Sequence, residues 1–159
     1  MGRMKRIPFD EVWQELARVL LAIGFEDAKA KKCARIFTEN TCDGVYSHGL
    51  YAFPGFVANV KAGLVKPQVE PELVSSLGVI ERWDGKMGAG PLNAEKAMKR
   101  AIELSRANGI GCVGLRNTNL DASGYLRAAC CRGGLHRNLL DQHNHAHASV
   151  GSGREENRE

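Results

Sequence analysis

Leu73-Val74-Ser75-Ser76-Leu77-Gly78-Val79-Ile80-Glu81-Arg82-Trp83 divides into two short β-like runs, Leu73 to Leu77 and Val79 to Trp83, meeting at Gly78. Glycine reaches the left-handed backbone that a tight turn requires, so the stretch predicts a hairpin. Downstream, Pro91 suits the first residue of a helix, because its missing N–H would have no partner there. Ala94, Ala97, Met98, Ala101, Ile102 and Leu104 then recur along one face. After Asn108-Gly109 a further strand-like run, Ile110 to Leu115, leads into polar Arg116-Asn117-Thr118-Asn119. Upstream of the hairpin the pattern is helical. Pro8 and Asp10 open a helix with a stripe of Val12, Leu16, Val19, Leu20 and Ile23, and Gly24 closes it. A second helix after Asp27 places Ala30, Cys33, Ala34 and Phe37 together, and a third runs from Phe53 to Lys61 before Gly63. Helices followed by mixed strand and helix predict an α/β (α+β) fold.

The 159 residues correspond to one domain, and a chain of that length buries enough surface to need no disulfide staples. With 43% hydrophobic and 25% charged residues it is globular in type, not disordered. The longest purely apolar run, Val19 to Ile23, is far too short to span a bilayer, and Met1 to Phe9 lacks the apolar core of a signal peptide. Five cysteines, an odd number without metal-type spacing among Cys33, Cys42 and Cys112, suit a reducing cytoplasm. A net charge of +4 without Lys/Arg clusters gives no reason to expect a nucleic-acid or membrane partner.

Composition changes sharply near Asn119. All nine lysines fall between Lys5 and Lys99, and no Ile, Phe, Trp or Met follows Ile110. Residues 120–159 hold five arginines and four of the five histidines, with Tyr125 the one aromatic residue. Little in that stretch could build a core, and no strand or helix period persists through it. The expected organisation is therefore a patterned segment, 1–119, and a weakly structured tail, 120–159.

Four groups could carry chemistry. His48, in Asp43-Gly44-Val45-Tyr46-Ser47-His48-Gly49, is the one histidine of the patterned segment. Imidazole titrates near neutrality and can exchange a proton with a carbonyl oxygen, although spacing alone favours a structural histidine. Asp84-Gly85-Lys86-Met87-Gly88-Ala89-Gly90-Pro91 ends at a helix N-terminus and could hold an anion. It lacks both the GxGxxG order and the Gly-Lys-Ser/Thr of a phosphate loop, so a plain turn is the simpler reading. His143, His145 and His147 alternate in the tail near Cys130-Cys131, yet no zinc-type spacing joins the two groups, and no metal is expected. Ser47 and Ser123 lie outside any G-x-S-x-G elbow and have no assignable Asp-His partner for nucleophilic work.

Asp-Gly-Val-Tyr-Ser-His-Gly at positions 43–49 resembles the signature of the malate/L-lactate dehydrogenase-like oxidoreductases, NAD(P)-dependent 2-oxo- and 2-hydroxy-acid enzymes built without a Rossmann domain. Further similarities follow in order: Phe53-Pro54-x-Phe56, Ser76-Leu77-Gly78-x-Ile80-Glu81-x-Trp83-Asp84, Ala101-Ile102-Glu103-Leu104, and Gly109-Ile110-Gly111-x-Val113-x-Leu115-Arg116-Asn117-x-Asn119. Within the family the resemblance is to the 2,3-diketo-L-gulonate reductase branch. It implies a homodimer, NADH or NADPH as cofactor, a small 2-oxo or 2-hydroxy acid as substrate, and His48 as the proton donor. It also implies that Ser47 and Asn119 contact the substrate. Cofactor-binding positions are not assignable from it.

The departures from the family pattern are specific. Ala52 and Gly55 occupy positions where the branch carries arginines suited to a substrate carboxylate, and Leu120 follows Asn119 where the family has a histidine. The tail offers an explanation. Codons permitted for Leu120-Asp121-Ala122, read from the second nucleotide, allow Trp-Met, which follows Asn-His in this branch. Gly134 to Asn144 in the same shifted frame allows Gly-Tyr-Ile-Gly-Ile-Cys-Trp-Thr-Asn-Thr-Ile, and His147 to Ser152 allows Met-Pro-Pro-Trp-Gly-Ala. Both are family-like. The expectation is an out-of-frame tail after Asn119, with two functional outcomes: an oxidoreductase of this family, or a truncated, catalytically inactive remnant without a cofactor site.

Overall fold

The computed structural model describes residues 6–118, 135–142 and 145–152, the last two stretches through their backbone. Two compact units divide at Gln68/Val69, where the helical pattern gives way to the strand pattern.

The first unit is helical. Pro8 precedes α1 (Phe9–Ala22), whose first turn carries Asp10 and Glu11 against the positive end of the helix. Leu16, Ala17 and Leu20 are buried, while Val12, Val19 and Ile23 of the expected stripe are half-buried. The reason is that small Ala17 turns the buried face by part of a turn. Gly24 leaves the helix at φ +99°. In α2 (Asp27–Cys42) the expected face is buried in full and is extended by Ile36, Thr38 and Asn40. The Trp13 indole N–H donates to the Lys31 carbonyl at 2.8 Å and ties the two helices together. A one-turn 3-10 helix, Tyr46–His48, leads to α3 (Phe53–Lys61), whose bounds match the sequence reading. Phe37 meets Phe53 edge-on at 5.3 Å and Phe56 at 5.3 Å, and Phe25 meets Phe56 at 6.1 Å. These rings form the centre of the unit.

The second unit opens with the hairpin. Strand β1 (Glu72–Leu77) pairs antiparallel with β2 (Ile80–Asp84), and Gly78 turns the corner at φ +58°. A register shift between Leu73 and Ser75 marks a bulge. Helix α4 (Gly90–Asn108) connects β2 to β3 (Ile110–Arg116), which lies parallel to β2, and Gly109 closes the helix at φ +81°. Pro91 is thus the second helical residue, one later than its pattern indicated. Gly111, Val113 and Leu115 alternate onto the buried face of β3. Val113 and Leu115 pack with Ala94, Ala97, Met98, Ala101 and Leu104 of α4, with Trp83 and Ile102 at the margin. A Cβ on Gly111 would stand 2.7 Å from Leu104 Cβ and 2.9 Å from the Ser105 nitrogen, so this crossing needs glycine.

Two more strands come from the compositionally distinct tail: β4 (Leu135–Gln142) and β5 (His145–Ser152), an antiparallel pair. Strand β5 also pairs antiparallel with β3, giving the sheet order β1-β2-β3-β5-β4. No helix among the described residues is long and apolar enough to cross a membrane.

Candidate functional site

His48 ends the 3-10 turn after α2 and is half-buried. Its Nδ1 lies 2.8 Å from the Ser47 hydroxyl, so one ring nitrogen is engaged by the preceding side chain. The turn rests on the C-terminal end of α2. The Asn40 carboxamide donates to the His48 carbonyl at 2.9 Å, and the Val45 N–H donates to the Asn40 carbonyl at 2.8 Å. The Leu50 N–H donates to Thr41 Oγ1 at 2.8 Å. Sequence reasoning selected His48 and Ser47 but missed Asn40 and Thr41. The available signal was a polar residue at position 40 on the stripe formed by Cys33 and Phe37, directly before a glycine-containing turn.

The glycine-containing loop of the second unit is built around Asp84. Its carboxylate accepts from the Lys86 backbone N–H at 2.8 Å, from Asn117 Nδ2 at 3.0 and 3.1 Å, and from Arg116 Nε at 3.0 Å. The Lys86 N–H first, then Asn117 and Arg116, hold this carboxyl below its ordinary range against the opposing effect of burial. Lys86, Met87 and Asn117 adopt positive φ of 49°, 61° and 51°, a costly conformation for side chains of their size. Asn93 Nδ2 donates to the Gly85 carbonyl at 3.1 Å and to Thr118 Oγ1 at 2.9 Å.

That geometry decides whether the loop suits a dinucleotide. A pyrophosphate site presents unpaired backbone N–H groups to the anion. Here the Gly85 N–H donates to Arg116, Lys86 to Asp84, Met87 to Asn117 and Gly88 to Gly85. A Cβ at Gly85 would lie 2.7 Å from Asn93 Nδ2, and one at Gly88 would lie 2.9 Å from the Val69 carbonyl oxygen, so the inside of the loop is already filled. The turn from Gly85 to Gly88 therefore offers no unpaired N–H to a nucleotide phosphate. The plain-turn reading describes it.

Of the expected site residues, Asn119 lies outside the described residues, as do Ser123, Cys130, Cys131 and His143. No group of three or more potential metal ligands occurs among the described residues. Cys33 is fully buried, and desolvation raises its thiol pKa; the same cause acts more weakly on half-buried Cys112.

The malate/L-lactate dehydrogenase family profile matches residues 7–149. The chain belongs to the malate/L-lactate dehydrogenase family. This match reaches past Asn119 into the compositionally distinct tail. The chain is 42% identical to a 2,3-diketo-L-gulonate reductase of Mannheimia succiniciproducens over 114 residues, covering 72% of this chain and 34% of that protein. The corresponding protein of Citrobacter koseri is 43% identical over the same length and with the same coverage. The chain thus spans about a third of the length of these curated relatives. Among solved structures, the malate dehydrogenase of Pyrococcus horikoshii is 26% identical with a TM-score of 0.77, covering 85% of this chain and 40% of that one. A putative malate/lactate dehydrogenase of E. coli gives 26% and 0.78, covering 83% of this chain and 37% of the other. The mixed helix and sheet architecture and the oxidoreductase family membership expected from sequence are both present.

Proposed function

We propose that this malate/L-lactate dehydrogenase family chain carries the proton-donor segment of an NAD(P)H-dependent 2-oxo-acid/2-hydroxy-acid oxidoreductase of the 2,3-diketo-L-gulonate reductase type. The observation that carries the reading is His48, held beside Ser47 at 2.8 Å in a turn that α2 anchors. The cofactor would supply hydride to the 2-oxo carbon. With Nδ1 engaged by Ser47, the proton for the resulting alkoxide comes from Nε2 of His48. Ser47 keeps that ring oriented, and the family resemblance implies that Asn119 contacts the substrate. Ala52 and Gly55 stand where related enzymes grip a carboxylate, so substrate anchoring falls to other groups. A homodimer in the cytoplasm remains part of this reading.

The second reading, a catalytically inactive chain, is favoured by the loop whose Gly85, Lys86, Met87 and Gly88 N–H groups are all engaged within the chain. For the 159-residue chain alone we expect no oxidation of NADH or NADPH with 2,3-diketogulonate. Steady turnover followed at 340 nm and lost in His48→Ala would refute inactivity. The nucleotide sequence around codon 119 tests the shifted frame. If that frame is present, the protein expressed from it should reduce the diketo acid, and His48→Ala should abolish turnover while binding persists. Retained turnover in the variant would sink the proton-donor role.

A further inference from the structure

Asn40 is fully buried on the same stripe of α2 as Cys33 and Phe37. A carboxamide in such surroundings is costly unless its polar atoms are paired. Its Nδ2 donates to the His48 carbonyl at 2.9 Å, while its Oδ1 has no partner among the described residues. The reversed amide would set two carbonyl oxygens against each other, so this orientation follows from the contact itself. The neighbouring contacts act on the same turn. The Val45 N–H, at its entry, donates to the Asn40 carbonyl at 2.8 Å. The Leu50 N–H, at its exit, donates to Thr41 Oγ1, which in turn donates to the Phe37 carbonyl, each at 2.8 Å. Gly49 brings the two backbones flush: a Cβ there would sit 2.9 Å from the Thr41 nitrogen, closer than real Cβ atoms approach.

We propose that Asn40, assisted by Thr41, is a positioning residue for His48. It fixes the backbone of the Ser47-His48 turn from entry to exit, and so fixes where the imidazole stands. Ser47 alone cannot do this. It is adjacent to His48 in the chain, and the pair would swing together if the turn were released. The inference deepens the proton-donor reading, which supplies only the role of the histidine that is held.

The test reads the imidazole directly. In the 15N-labelled full chain, the His48 ring signals are those missing from His48→Gln. A held neutral ring keeps one tautomer, and its two nitrogens resonate far apart. Asn40→Asp removes the donor at nearly constant volume, and Thr41→Val removes the acceptor for Leu50 at nearly constant shape. In each folded variant the two nitrogen signals should move towards one another, as they should in Ser47→Ala. Unchanged separation in Thr41→Val and in Asn40→Asp, with convergence in Ser47→Ala, overturns the proposal. Averaged signals in the unmodified chain, recorded in alkaline buffer where an imidazole ring is neutral, overturn it too. If Asn40→Asp does not fold, Asn40→Ser and Thr41→Val decide by the same criterion. Pyruvate, added to the unmodified chain, separates the two readings. A His48 signal that responds to Asn40 substitution and not to pyruvate sustains the clamp independently of the proton-donor role, which turnover of His48→Ala in the shifted-frame protein decides.

Discussion

Replacing Arg100 by methionine removes the positive partner of a carboxylate that the fold has taken out of water. The Glu81 side chain is 3% exposed and the Arg100 side chain 39%. Arg100 reaches Glu81 with Nε at 3.0 and 3.1 Å and with a terminal nitrogen at 2.8 Å, and the Trp83 indole adds a fourth contact at 2.9 Å. Breaking a fully buried pair by deleting one partner costs about 3–5 kcal/mol. The half-exposed guanidinium lets water return and Trp83 stays in place, so a loss of about 2–3 kcal/mol is expected. That corresponds to a fall in Tm of about 5–10 °C for a chain of this size. The pH dependence has a definite sign. Hydrogen bonding from Arg100, ahead of that from Trp83 and against desolvation, lowers the folded pKa of Glu81. The pair's contribution is therefore complete above the ordinary glutamate pKa and is lost as pH falls through the lowered folded value. Urea melts of wild type and Arg100→Met, at neutral pH and in acid, should show a gap that narrows on acidification. The double variant Glu81→Met/Arg100→Met should regain most of the loss. A gap below about 0.5 kcal/mol at neutral pH, or one unchanged in acid, would refute the reasoning.

Phe37→Ala should cost about 3–5 kcal/mol in chemical denaturation, because it empties the centre of the Phe37, Phe53 and Phe56 cluster. Gly111→Ala should lower stability by about 1–3 kcal/mol, since the new methyl group meets Leu104 and the α4 backbone; a neutral result would mean that the helix can move away freely. Thiol labelling followed by peptide mapping should modify exposed Cys42 at neutral pH and leave Cys33 untouched until denaturant is added, since burial both shields that thiol and raises its pKa. Labelling of Cys33 at the Cys42 rate under native conditions would show that the α1–α2 core opens readily.

Local chemistry accounts for the parts of this protein that were legible in the sequence. The Phe53–Lys61 helix, the hairpin at Gly78 and the β3 run beginning at Ile110 follow from turn residues and from periods of 3.6 and 2 within single segments. His48 and Ser47 were legible because they stand side by side in one short motif. Strands β4 and β5 were not: backbone pairing joins them, and the alternation of Ala146, Ala148 and Val150 is too short to mark a strand by itself. The parallel register of β2 on β3 was equally hidden, since it joins residues separated by the whole of α4. The sequence alone thus determined the elements up to β3, the family resemblance and the candidate imidazole. Only the tertiary structure decided that Asn40 holds the His48 carbonyl, that Arg100 sits on Glu81, and that the glycine loop folds on itself around Asp84 and Asn117. Periodicity belongs to one segment, whereas a hydrogen bond between segments exists only once the chain has brought both of its partners together.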